Sequence, residues 1–375
     1  MRIEGIEIFY LGVPLARPMV TPLGTWQQLQ TVLVALESGG LRGWGEASPG
    51  NAPLLGPEWA GGVYRCLCEW IGPAVVGQSL DTAEQLQQRL ARLQGNRYAK
   101  AAVDCAWWDL AARLQGKPLH QLLGGQTDRI ALGVSFDKMP DIQDLLEAMR
   151  RAFEAGYSSV ELKFRPGWEV SMVHMVRQEF PTEQIHIDVE GDLRLSHMEM
   201  LCRLDDFMLA MIEQPLPPYD LVGHAMIQDA IRTPICLAES ITCPEEADIA
   251  IELKSGRYIN LEPGRVGGLT PAQQIHDACR TADIGCRLGA RPQTSIGTAL
   301  GLALGTKDNF SYPADFFPPE DFLADELTEP IPLERSSDGK LQAVLSTQPG
   351  IGRQPDPQKL HAWTLEHTRL VANTR

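Results

Sequence analysis

From residue 126 onward, short apolar runs alternate with segments of helical periodicity, and this limits the possible folds more than any other feature. The runs are 129–136, 159–164, 185–190, 208–213, 234–239, 258–262 and 285–289. Helical spacing covers 141–155, 168–179, 195–204, 222–231, 244–254 and 270–282. Strands joined by connections of this length are parallel, because a crossover needs a dozen or more residues whereas an antiparallel pair needs only a turn. Seven such runs point to a closed barrel rather than an open sheet. A further apolar segment, 297–304, reads as a helix. The first 125 residues are organised differently. Strand patterns at 1–10, 30–37 and 42–46 precede helical patterns at 58–73, 81–94 and 98–115, and Gly124-Gly125 ends the block. Strands followed by helices predict an α+β domain.

Parallel strands in a barrel are buried and should be apolar. Several here end on a charge. Lys163, Asp188 and Glu213 are spaced by 25 and 25 residues; a further 25 reaches Ala238, and 24 more reaches Glu262. The C-terminal strand ends of a barrel converge on one mouth, where catalytic groups sit. Carboxylates on adjacent strands suit a divalent cation, which takes oxygen ligands. A lysine beside that cation would have its pKa lowered, as a lysine base requires. Solvated loop starts are the plainer explanation for any one such charge, and three at equal spacing weaken it.

Other classes are excluded by composition. With 33 basic and 48 acidic side chains, a net charge of −15, the chain is poorly suited to nucleic-acid backbones. No run of 18 uncharged apolar residues is present, so no membrane partner is expected. Glu4 and Glu7 fall where a signal peptide would need an apolar core. The eight cysteines are scattered and read as buried reduced thiols, so a cytoplasmic location is expected. None of the eight histidines falls on a strand end expected of a catalyst; His186 is expected deeper in the barrel and His224 on a helix.

At these residues the chain resembles the enolase superfamily, in its o-succinylbenzoate synthase / N-succinylamino acid racemase group. The resemblance spans essentially the whole chain. Its carriers are Val160 to Trp168, Ile187-Asp188, Ile212 to Leu216, Thr233 to Ser240, Asn260 to Gly268, Thr294 to Gly297, and Gly43-Trp-Gly-Glu46. It implies a modified (β/α)7β TIM-like barrel over 126–322, an α+β capping domain over 1–125, and a segment over 323–375 that returns to the cap. It also implies Mg²⁺ (or Mn²⁺) on three carboxylates, flanked by two lysines on opposite sides of a carboxylate substrate. The superfamily stabilises an ene-diolate in this way. Position by position, Lys163 matches the first catalytic lysine, and Asp188 and Glu213 the first two metal ligands.

Several positions depart from the family pattern. Ala238 stands at the aspartate of Cys-Leu-Asp-Glu-Ser, and Glu262 at the second lysine. Glu161 replaces the first lysine of Lys-x-Lys, Arg291 a methionine, and Gln293 a glutamate. Glu190 lies on the same side of its strand as Asp188 and is a further candidate ligand. Glu239 points to the opposite face unless the strand ends there. Otherwise the acids pair with Lys163, Arg165 or Arg291 in a metal-free network. Ser135, Arg291 and Gln293 are the expected substrate contacts, and residues 17–25 the expected lid over the mouth. The resulting expectation is dehydration of a small carboxylate with Lys163 as base and Glu262 opposite it. N-acylamino acid racemisation or epimerisation is one alternative; a catalytically impaired barrel that binds a small acid or a partner is another. A homo-oligomer is expected.

Overall fold

The computed structural model describes residues 1–21, 23–54, 56–165, 170–317 and 322–372. Pro166, Gly167 and Trp168, which end one of the resemblance-bearing segments, lie outside them. Strands β1 (Gly5–Thr21), β2 (Gly24–Ser38) and β3 (Leu41–Ala47) form an antiparallel meander. Alternation along them buries both faces. Ile6, Ile8, Val32 and Val34 pack under the helices of the first 125 residues, while Phe9, Leu11, Leu33 and Trp44 join the barrel core. A strand normally offers one face to a core; this sheet is apolar on both because it lies between two.

The helix Arg97–Leu114 lies against β3 and is buried along most of its length. Gly45 permits that approach, since a Cβ there would sit 2.7 Å from the Ala106 nitrogen. The same helix is tied to the barrel by Asp104, which accepts from the Thr270 N–H (2.9 Å) and hydroxyl (2.6 Å).

The barrel strands are β4 (Arg129–Phe136), β5 (Ser159–Lys163), β6 (Ile185–Asp188), β7 (Ile212–Glu213), β8 (Ile235–Leu237), β9 (Tyr258–Leu261) and β10 (Gly285–Leu288). All pair in parallel in that order. The run expected over 208–213 shortens to two residues. An eighth strand, β11 (Ala314–Asp315), pairs in parallel with β4, and a bridge between Cys286 and Phe310 brings the same segment to β10. Two residues carry no periodicity, so the sequence reading missed this strand. Segment 297–304 is helical, within Ser295–Gly305.

β12 (Leu333–Arg335) and β13 (Leu341–Val344) form a hairpin whose β13 pairs antiparallel with β4. The chain then returns to the first sheet, where β14 (Thr364–Val371) pairs antiparallel with β1. Residues 17–21 and 24–25 are strand rather than irregular loop. They are the tip of the β1–β2 hairpin, with Met19 opposite Trp26 and Val20 opposite Thr25; Pro22 lies outside the described residues. The cysteines are unpaired and five are buried, but Cys202 is exposed, contrary to the expectation of burial.

Candidate functional site

The equal spacing of the charged strand ends becomes one rung of the barrel. Lys163 is in register with Asp188, and Asp188 with Glu213. The next rung partner is Cys236, so Ala238 lies beyond it, and Glu262 immediately follows β9. Lys163, Asp188, Glu213 and Glu262 open into a cavity of about 480 Å³ at the C-terminal strand ends. Glu190, Glu239, Arg265 and Arg291 line it as well. β8 ends at Leu237, so strand alternation no longer turns Glu239 outward; its Oε2 is buried and has no hydrogen-bond partner among the described residues.

One side of the mouth is built on Lys163. Its Nζ lies 2.6 Å from Asp188 Oδ2, 2.9 Å from Glu161 Oε1 and 3.3 Å from Glu190 Oε1. Burial alone would lower its pKa, but these three carboxylates hold it well above the usual lysine value. Burial raises Asp188 to about 6, against the pull of Lys163. Arg165 closes the outer end of the group on Glu190 and on Asp137 (3.0 Å).

The other side is built on Glu262, with the polarity reversed. Tyr98, from the helix Arg97–Leu114, donates its hydroxyl to Glu262 Oε1 (2.6 Å), while Arg291 (3.0 Å) and Arg265 (3.3 Å) pair with Oε2. Burial pushes the Glu262 pKa up; Arg291 and Arg265 outweigh it and hold the carboxyl below its usual range. Gly264 makes room for the phenol, since a Cβ there would lie 2.6 Å from the Tyr98 ring.

Beneath the mouth lies a charged floor. Arg287 of β10 is completely buried, and its guanidinium reaches Glu161 (2.6 Å), Glu213 and Asp315. Ser135 donates to Glu161 Oε1 (2.8 Å), and Asn260 donates to Glu213 Oε1 (2.6 Å). His186 lies deep in the barrel as expected, with Nε2 3.1 Å from Glu161 and Nδ1 3.0 Å from the Tyr312 hydroxyl. Burial and the Arg287 charge lower its pKa to about 4, so the ring is neutral. Burial raises Asp315 to about 7 and Glu213 well above its usual range. Four acids, Glu161, Asp188, Glu213 and Asp315, here face two cations, Lys163 and Arg287.

The candidate residues therefore separate. Lys163, Asp188, Glu190, Glu213, Glu262 and Arg291 converge on the mouth. Ser135 belongs to the floor. Gln293 lines a small inner cavity with Glu46, Tyr98 and Glu262. Glu46 of β3 joins the first sheet to the barrel, accepting from the N–H groups of Thr294 (3.0 Å) and Gly297 (2.8 Å) at the start of helix Ser295–Gly305. Tyr98, Arg265, Arg287 and Asp315 were missed in the sequence. An arginine inside a buried strand was the available signal for Arg287, because a buried guanidinium demands acidic partners.

Glu161, His186 and Glu213 offer ligand atoms within 4.8 Å of one another, a spacing able to hold a metal ion. Among the described residues this is the only such grouping, and it contains neither Asp188 nor Glu190. Arg287 donates to Oε2 of both Glu161 and Glu213. Asp188 is bonded to Lys163 and to the Glu190 N–H (3.0 Å), and Ala238 supplies no oxygen. Mg²⁺ needs several oxygens directed at one point, and this arrangement does not fit it.

Residues 144–359 match the family profile "Enolase C-terminal domain-like", and residues 5–124 match "Mandelate racemase / muconate lactonizing enzyme, N-terminal domain". The chain is 35% identical to an o-succinylbenzoate synthase of Geobacillus stearothermophilus, over 97% of this chain and 96% of that one. It is 36% identical to an N-succinylamino acid racemase of Thermus thermophilus, over 88% and 89%. A solved enolase-superfamily member from Listeria innocua superposes with a TM-score of 0.93 at 28% identity, covering both chains completely.

Proposed function

Because the chain belongs to the mandelate racemase / muconate lactonizing enzyme family of the enolase superfamily, we propose that it is a lyase acting on a small carboxylate at the barrel mouth. The reaction is a dehydration like that of its o-succinylbenzoate synthase relatives, with Lys163 as the group that moves the proton. The contact that carries this reading is Lys163 Nζ to Asp188 Oδ2, 2.6 Å, at the cavity wall.

Dehydration asks one group to accept a proton from carbon and return one to the departing hydroxyl. Lys163 is the only lysine lining the cavity among the described residues. Its three carboxylates keep it protonated at rest, as suits a donor. It becomes an acceptor once that proton has left through the open mouth to solvent, which a rising pH favours, and it then returns the proton taken from carbon to the departing hydroxyl. Arg291 and Arg265 face the cavity from the opposite side. Their guanidinium groups would meet the substrate carboxylate and the charge that develops on it. No step passes through a divalent ion.

Racemisation would need a proton-transferring group on each face. Glu262 is held ionised by two guanidinium groups and is a weak base, which favours the one-sided reaction. The test is deuterium incorporation from D₂O into N-succinylamino acids, alongside conversion of the hydroxylated o-succinylbenzoate precursor. Dehydration without racemisation, lost in Lys163→Ala, is expected. Neither reaction in the wild type would leave a barrel that only binds a small acid. Turnover that survives Lys163→Ala would remove Lys163 from its role.

A further inference from the structure

We infer that Arg287 is a resident cation that neutralises the acids beneath the barrel mouth, Glu213 among them, so that the mouth is closed to divalent metals by a guanidinium built into β10. The inference stands on the geometry of the floor and is read by metal binding, so it can fail or survive independently of the dehydration reading.

Three observations carry it. First, the side chain is fully buried and its charge is permanent, because a guanidinium does not deprotonate in proteins. Its two terminal nitrogens are shared among Glu161, Glu213 and Asp315, from three different strands. Second, Glu213 matches one of the three metal ligands that the resemblance implies, and each of its oxygens already accepts a hydrogen bond. Oε1 accepts from Asn260 and Oε2 from Arg287. Asn260 and Arg287 are themselves register partners on β9 and β10, so one rung supplies both donors. Third, Ala238 supplies no carboxylate where the resemblance puts the third ligand.

The floor is also held rigidly. Ser135 and His186 fix Glu161, and the Tyr312 ring lies 5.9 Å from the guanidinium carbon while its hydroxyl meets His186. Arg287 therefore cannot swing aside without breaking several hydrogen bonds at once. A divalent ion between Glu161 and Glu213 would share oxygens with a fixed positive charge, and like charges in a low-dielectric interior repel strongly. Removing that charge while leaving the acids should open the site. The grouping of Glu161, His186 and Glu213 already has the spacing for it.

The test is a Mn²⁺ titration of the chelator-treated full chain, followed by electron paramagnetic resonance and by thermal unfolding. The wild type is expected to bind no Mn²⁺ tighter than about 1 mM, the weak end of carboxylate sites, and to unfold at the same temperature with and without it. Arg287→Met is expected to bind Mn²⁺ at least about tenfold more tightly and to gain thermal stability from it. Sub-millimolar binding by the wild type that Glu213→Gln abolishes would overturn the inference. A folded Arg287→Met that still ignores Mn²⁺ would overturn it as well. If Arg287→Met folds only when Mn²⁺ is supplied, the rescue supports the inference. If it folds under neither condition, the wild-type and Glu213→Gln titrations decide.

Discussion

The two sides of the barrel mouth are electrostatic mirror images. On one, a single ammonium, Lys163, is surrounded by Glu161, Asp188 and Glu190. On the other, a single carboxylate, Glu262, is surrounded by Arg265, Arg291 and the Tyr98 phenol. Each central group is fixed in its charged form by the same physics: burial disfavours the charge, and closely placed partners of opposite sign more than compensate. The sides differ in their neighbours. Around Lys163 the acids exceed the cations, and burial leaves Asp188 with a pKa raised to about 6. Around Glu262 the cations exceed the acid, and they hold the carboxyl below its usual range. The mouth is asymmetric in its capacity for proton transfer even though both halves are ionic.

The strongest way to break this comparison is Lys163→Ala. Turnover should fall by about 10²- to 10⁴-fold, the range for loss of a general acid–base group, whereas Glu262→Gln should cost less than about tenfold; equal losses in steady-state rates would restore a two-base mechanism. Glu262→Gln should instead act on stability. Leaving a buried guanidinium, Arg265, and a partly buried one, Arg291, without their carboxylate should cost about 3 kcal/mol, as removal of one member of a buried ion pair does, measurable by urea unfolding.

The floor adds a pH signature. Asp315 has a pKa raised from 3.8 to about 7 in the folded chain, so its contribution is full below about pH 4 and is lost as the pH rises toward 7. Glu262 has the opposite sign: its lowered pKa adds stability above its unfolded value, lost as the pH falls. Asp315→Asn should flatten the decline of unfolding free energy between pH 4 and 7 by up to about 4 kcal/mol, roughly three pKa units at about 1.4 each. An unchanged slope would place the titration elsewhere. The smallest effect expected is that of Tyr98→Phe. It removes one hydrogen bond to an ionised carboxylate, worth about 1.5–3 kcal/mol with the low end expected for a site that keeps both arginines, and should leave dehydration rates within about twofold.

Part of this site was legible in the sequence because it is periodic. A βα unit of about 25 residues repeats, so Lys163, Asp188 and Glu213 recur at that interval, and the structure places them on one rung. The departures at Ala238, Glu262 and Arg291 were legible once the family pattern was set beside the chain. The direction of Glu239 hinged on whether its strand ends, and β8 stops at Leu237, so alternation does not carry the side chain outward. Tyr98 reaches Glu262 across 164 positions of sequence and Arg287 reaches Glu161 across 126. No local pattern reports pairs so far apart. Asp315 sits on a strand of two residues, too short to show a period.

The sequence by itself determined the barrel, the parallel order of its strands and the residue types delivered to its mouth, because hydrophobic periodicity and crossover length are local properties. Tertiary structure alone decided which charges meet. Whether Lys163 is free or clasped, whether Glu213 faces a metal or a guanidinium, and whether Glu262 can take a proton all depend on distances of a few ångströms between distant segments. Electrostatic energy in a buried site varies steeply over those distances, so the ion pairing at the mouth was decided only when the barrel closed and brought Arg287 among the acids.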